Sequence, residues 1–158
     1  GQHQRAIEDY DQAVRLDPDY ELAYSHRGRS HAAAGQHQLA TQDYDQVIRL
    51  DPDNALAYRC RGRSYAALGQ HRRAIQDYDL AIQLAPNDAQ AYMNRGLAYY
   101  DLGQHQQAIQ DYDQAVRLDP NLADAYGGRG VAYYDLGQQQ KARLDWDRAG
   151  YLDKKYYR

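Results

Sequence analysis

The chain has 158 residues, 43% of them hydrophobic, and a net charge of −3. Charges of both signs are interspersed, so no bulk basic field exists to hold nucleic acid or an anionic membrane. The single cysteine, Cys60, excludes an intramolecular disulfide framework.

The first element in chain order lies within residues 1–20, where Ala6, Ile7, Tyr10, Ala13, Val14 and Leu16 recur at spacings of three and four, the mark of an amphipathic helix. Asp17-Pro18 ends it, because the residue before proline avoids the helical region. Residues 21–54 predict two helices. The first, Leu22 to Ala34, groups Ala23, Tyr24, Arg27, Gly28 and His31 on one face and closes at Gly35. The second covers 37–50, with Ala40, Tyr44, Val47, Ile48 and Leu50 apolar, and stops at Asp51-Pro52.

Residues 55–88 and 89–122 repeat the plan. Small residues, Gly62 with Ala74 and Gly96 with Ala108, fall where two helices must approach closely. Tyr58, Tyr65 and Tyr78, then Tyr92, Tyr99 and Tyr112, fill the space between. Asn87 or Asp88 is placed to cap the helix after Pro86. Residues 123–156 are an altered copy, with Arg143, Trp146 and Gly150 standing where Ile109, Tyr112 and Val116 stood, and 157–158 are a tail. The short turns require neighbouring helices to run antiparallel. Phe is absent and Tyr occurs 17 times, so tyrosine supplies the aromatic filling.

The stretch Gly103 to Pro120, GQHQQAIQDYDQAVRLDP, recurs from Gly1, Gly35 and Gly69, and in altered form from Gly137. Each start lies 34 residues after the last (1, 35, 69, 103, 137), the period of a stacked array in which each unit touches only its neighbours. Residues 1–20 then form a half repeat, and 21–54, 55–88, 89–122 and 123–156 four whole ones, the last with the polar outer face of a capping unit. The chain starts in mid-repeat with Gly, so it reads as a piece of a longer protein, and Ile7, Tyr10 and Val14 are expected to lie open to water.

Gly62, Tyr65, Gly69, Ala74, Tyr78, Ala81 and Pro86, with their counterparts in neighbouring units, resemble the tetratricopeptide repeat, in a variant with Arg-Gly in the first helix (Arg27-Gly28, Arg61-Gly62, Arg95-Gly96, Arg129-Gly130). The resemblance implies an all-α fold, a right-handed α-solenoid of antiparallel helix pairs with a concave groove lined by the first helices. It also implies a partner: another protein, bound through an extended or helical segment.

By that family's geometry the groove is lined by Leu22, Ser25, Arg29 and Ala33; Leu56, Arg59, Arg63 and Ala67; Gln90, Met93, Asn94, Leu97, Tyr100 and Asp101; and Asp124, Gly127, Val131, Tyr134 and Asp135. These positions vary between units while the frame repeats, which is what a tuned binding surface would show. Arg29, Arg59 and Arg63, near His26, are basic; Tyr100, Tyr134, Asp101 and Asp135 are aromatic and acidic. Arg59 and Arg63 lie four apart on one helix face, within reach of one ligand, and guanidinium forks suit an acidic segment or a chain-end carboxylate. The tyrosines would stack against apolar or prolyl side chains.

One subgroup of the family clamps the acidic tails of heat-shock chaperones. Arg59, Arg63 and Asn94 fall on matching positions of that clamp, but Asp124 and Gly128 stand where two basic residues belong.

The remaining chemistry reads as structural. Arg27, Arg61, Arg95 and Arg129 recur once per unit opposite the Asp-Tyr-Asp motifs and predict Arg–Asp ladders, with Asp11 to Arg15, Asp45 to Arg49 and Asp113 to Arg117 as further pairs four apart. His3, His37, His71 and His105 are expected in turns, a whole repeat apart and too distant to share a metal. Cys60 reads as a small packing residue. The sequence has no phosphate loop, dinucleotide fingerprint or nucleophile motif, so neither an enzyme nor a cofactor is expected.

The leading reading is a protein–protein interaction scaffold. The second is a homo-oligomer formed through Ile7, Tyr10 and Val14. RNA binding by a helical repeat ranks third, against the acidic balance. No apolar run is long enough to span a bilayer and nothing reads as a signal peptide; with one cysteine, the expected setting is the cytoplasm.

Overall fold

The computed structural model describes residues 2–156, and side chains from 4 to 150. Nine helices and no strand occur among the described residues. They are α1 (Gln2–Leu16), α2 (Glu21–Ala33), α3 (His37–Leu50), α4 (Ala55–Ala67), α5 (His71–Leu84), α6 (Ala89–Asp101), α7 (His105–Leu118), α8 (Ala123–Asp135) and α9 (Gln139–Tyr156). The all-α helical-repeat fold expected from the period is therefore present. Contacts divide the chain into two compact units, Gly1–Leu84 and Ala85–Arg158.

Local chemistry sets the helix ends. Gly35, Gly69, Gly103 and Gly137 adopt φ of 72° to 75°, a left-handed conformation that costs glycine little. At the first of these, the Gly35 N–H donates to Ala32 O at 3.0 Å and the Gln36 N–H to His31 O at 2.8 Å. That pair of bonds satisfies two carbonyls at the end of α2, and it is repeated after α4, α6 and α8. Asn54 caps α4 by accepting from the Ala57 N–H, and Asp88 caps α6 by accepting from Gln90 and Ala91. The extended Asp51 and Asp119 end α3 and α7 just before proline.

In the first unit α1 packs on α2, α2 on α3, α3 on α4 and α4 on α5, and α2 lies beside α4. The buried core runs through Ile7, Ala23, Ala40, Tyr44, Val47, Ala57, Ala74, Tyr78 and Ala81. Alanine and glycine bring the backbones close, and tyrosine rings fill what remains. A Cβ on Gly62 would lie 2.7 Å from Tyr78 Cε1, so this crossing admits glycine alone without repacking. In the second unit α6 packs on α7, α7 on α8 and α8 on α9, and α6 lies beside α8. Its core centres on Ala108, Tyr112, Ala115 and Ala125.

Three expectations change. Ile7 is buried, and Tyr10 and Val14 are half-buried, because α2 covers that face of α1 and His26 stacks on the Tyr10 ring with centroids 5.6 Å apart. The stripe offered for self-association is therefore not open; Leu16 instead faces water at 80% exposure. His37, His71 and His105 do not lie in turns but open α3, α5 and α7, half-buried; the side chain of His3 lies outside those described. The aspartate–arginine pairs four apart give way to bonds between helices: Arg15 Nε reaches only the Asp11 carbonyl, while the Asp11, Asp45 and Asp113 carboxylates are held by Arg27, Arg61 and Arg129.

Candidate functional site

The arginine ladder is built into the frame. Arg27 bonds Asp43 on the helix after it and Asp11 on the helix before it, each sixteen residues away, at 2.6 and 2.8 Å. Arg61 does the same with Asp77 and Asp45, both at 2.7 Å, and Arg129 with Asp145 and Asp113, both at 2.6 Å. Arg95 holds Asp111 at 2.6 Å. Each guanidinium also lies over the tyrosine three residues before it, Tyr24, Tyr58, Tyr92 or Tyr126, at 5.3 to 5.6 Å. The Asp77 bonds push the Arg61 guanidinium up, and burial pushes the Asp77 carboxyl up against the pull of Arg61. The fork geometry keeps the pair ionised at neutral pH. These arginines join helices and are spent on that task.

The residues expected to line a groove all fall on the first helix of a pair, α2, α4, α6 or α8. In the first unit Leu22 and Leu56 are each 53% exposed, Arg29, Ala33, Arg63 and Ala67 are exposed, and Ser25 and Arg59 are half-buried. Helical spacing puts 22, 25, 29 and 33 on one face of α2, and 56, 59, 63 and 67 on the matching face of α4. Between the two helices opens a cavity of about 300 Å³ lined by Arg29, Ala32, Ala33, His37, Tyr44, Cys60, Arg63, Ser64 and Ala67. Tyr44 and Ser64 are buried and form its floor, while Arg29 and Arg63 are exposed at its mouth. Burial pushes the Tyr44 hydroxyl well above its ordinary range, and the neighbouring Cys60 adds to the rise.

This cavity joins Arg63 to Arg29, its counterpart one repeat earlier, and not to Arg59. Residues that spacing read as scaffold, Tyr44 and Cys60, prove to line it, as do His37 and Ser64. The signal available in the sequence was that 29 and 63 are the same position of successive repeats.

In the second unit the same positions carry other chemistry. Leu97 is 50% exposed, Val131 38% and Tyr134 54%; Asp101, Asp124 and Asp135 are exposed. Gln90, Met93, Asn94 and Tyr100 are half-buried, and Met93 and Tyr100 pack partly on the core. The Tyr100 hydroxyl donates to Asp135 Oδ2 at 2.6 Å, which pushes the phenol up and ties α6 to α8. Tyr134 leans on Trp146 with ring centroids 5.7 Å apart. The Asn94 amide nitrogen is buried without a hydrogen-bond partner among the described residues.

Among the described residues no group of three His, Cys, Asp or Glu side chains could hold a metal ion. None of the described helices is long and apolar enough to cross a membrane.

A family model for the TPR repeat matches residues 1–35, 28–69, 62–103 and 96–137. No curated protein matches the chain. Among solved structures, a crystal structure of MamA matches with a TM-score of 0.87 at 26% identity, over 94% of this chain and 87% of that one. The first TPR of Spaghetti (RPAP3), bound to the HSP90 peptide SRMEEVD, matches with a TM-score of 0.72 at 26% identity, over 74% of this chain and 93% of that one. YrrB, a TPR protein with an unusual peptide-binding site, shares the fold with a TM-score of 0.79 at 24% identity, over 99% of this chain and 80% of that one. Four overlapping family matches, laid on helix pairs closed by the same glycine and joined by the same Arg–Asp bonds, make this chain a member of the tetratricopeptide repeat (TPR) family.

Proposed function

We propose that this chain is a protein-interaction module that binds a segment of a partner protein along the exposed face of its first helices. The observation that carries this reading is the contrast between two sets of arginines. Arg27, Arg61 and Arg129 are each held by two aspartates. Arg29 and Arg63, two residues further along their helices, form no ion pair or hydrogen bond among the described residues and share a helix face with exposed Leu22 and Leu56. Unneutralised cations beside exposed aliphatic side chains offer a ligand both specificity and apolar area. The peptide-bound RPAP3 repeat, similar over 74% of this chain, supports the same reading.

The test is selection of peptide ligands from a random displayed library, followed by calorimetry. Selected peptides should lose affinity for Leu22→Asp and for Leu56→Asp, whose parent side chains are half in water, and keep it for Gln76→Ala on the second helix of a pair. Peptides that bind all the variants alike would place binding elsewhere and end the proposal.

A further inference from the structure

The cavity between α2 and α4 in the first unit has a one-sided chemistry. Two guanidiniums stand at its mouth and no aspartate or glutamate lines it. Like charges held close together repel, and an anion placed between them relieves that repulsion. On the floor, Ser64 Oγ donates to Cys60 O at 3.3 Å, and Tyr44 is buried. The rest of the wall is the His37 ring, whose Nδ1 has no hydrogen-bond partner among the described residues, and methyl surface from Ala32, Ala33 and Ala67.

We infer that this cavity is an acidic side-chain pocket: it takes the side chain of a glutamate within a partner segment, with the carboxylate between Arg29 and Arg63 and the methylenes against the alanines. The inference rests on the proposed binding reading and names the residue class that one part of the face selects. A side-chain carboxylate fits this lining better than a chain-terminal one. A terminal carboxylate brings its own peptide N–H alongside, a polar group that the three alanine methyls of this wall cannot satisfy. A glutamate side chain brings only methylenes there, which the same methyls accept. Two guanidinium forks can each bond one carboxylate oxygen, and such charge-assisted bonds are the strong ones. The second unit has Leu97 and Val131 where the first has Arg29 and Arg63, and Asp101 and Asp135 where it has Ala33 and Ala67, so the pocket belongs to the first unit alone.

The experiment uses the whole chain and a defined probe, hexaglutamate blocked by acetylation and amidation, titrated by calorimetry. Arg29→Met and Arg63→Met should each weaken it by about tenfold or more, while Arg72→Met, the same charge change on an exposed residue of α5, leaves it nearly unchanged. Ala67→Leu, which alters no charge and fills the cavity, should also abolish binding. Cys60 lines the cavity and is the sole cysteine, so bound probe should slow its alkylation, read by mass.

A blocked probe that fails to bind, or binds Arg29→Met and Arg63→Met as it binds the parent, overturns the inference, as does binding without protection of Cys60. Binding only of a neutral Gly-Ser peptide with a free C-terminal carboxylate would also overturn it, in favour of a chain-end site. In each of these cases library-selected peptides that depend on Leu22 and Leu56 would still stand, so the pocket can fail without the module.

Discussion

Arg61 grips Asp77 through two parallel bonds, Nε to Oδ2 at 2.9 Å and Nη2 to Oδ1 at 2.7 Å. The aspartate side chain is 5% exposed and the arginine 18%, and the remaining Nη1 of Arg61 reaches Asp45. Arg61 thereby joins three helices, as Arg27 and Arg129 do. Removing the acid leaves a largely buried cation short of its main partner. Asp77→Ala should cost about 2–4 kcal/mol in urea unfolding, at the lower side of values for buried pairs because Arg61 keeps Asp45 and some water. The double change Arg61→Met with Asp77→Leu should cost less than Asp77→Ala alone. A double variant worse than the single would mean that the pair itself, and not relief of a stranded charge, carries the stability.

An exposed bond of the same kind should matter little. Tyr100 donates to Asp135 at 2.6 Å, but both groups lie at the surface. Tyr100→Phe should unfold within about 0.5 kcal/mol of the parent. A larger loss would show that this contact helps to hold α6 against α8.

Glycines of the first helices divide by what lies opposite. A Cβ on Gly62 meets the Tyr78 ring at 2.7 Å, whereas one on Gly127 meets nothing within 4 Å. Gly62→Ala should destabilise by about 1–3 kcal/mol through overpacking. Gly127→Ala should stabilise by up to about 1 kcal/mol, because alanine is the better helix former. Thermal unfolding of the two variants side by side gives shifts of opposite sign if the crossing geometry is right.

Alkali should unfold the protein through its tyrosines. Burial raises the hydroxyls of Tyr44, Tyr78 and Tyr112 well above their ordinary value of 10.0. A raised folded-state value means that the folded chain holds the proton more tightly than the unfolded one. That stability is fully present below pH 10.0 and falls as pH rises above it toward the folded value. Tyrosinate absorbance and helicity should therefore change together in a late step, after the exposed tyrosines have titrated. Titration of every tyrosine before any helicity is lost would contradict the burial of these three.

The sequence by itself determined the repeat, and the physics is local. The period of 34, the glycine that accepts positive φ at each first-helix end and the proline that follows every second helix but the last all act within a few residues. The Arg–Asp ladder was legible too, because the arginine and the Asp-Tyr-Asp motif, Asp-Trp-Asp in the last repeat, recur with the same period. Only the tertiary structure decided which neighbours claim each group. It gave the Asp45 carboxylate to Arg61 and not to Arg49, covered Ile7 with α2, and set Arg29 beside Arg63 over Tyr44, Cys60 and Ser64. Spacing along one helix pairs Arg59 with Arg63, because it describes a single cylinder. A cavity forms where two cylinders and the start of a third meet, and side-chain volumes and competing hydrogen bonds, not period, determine what lines it.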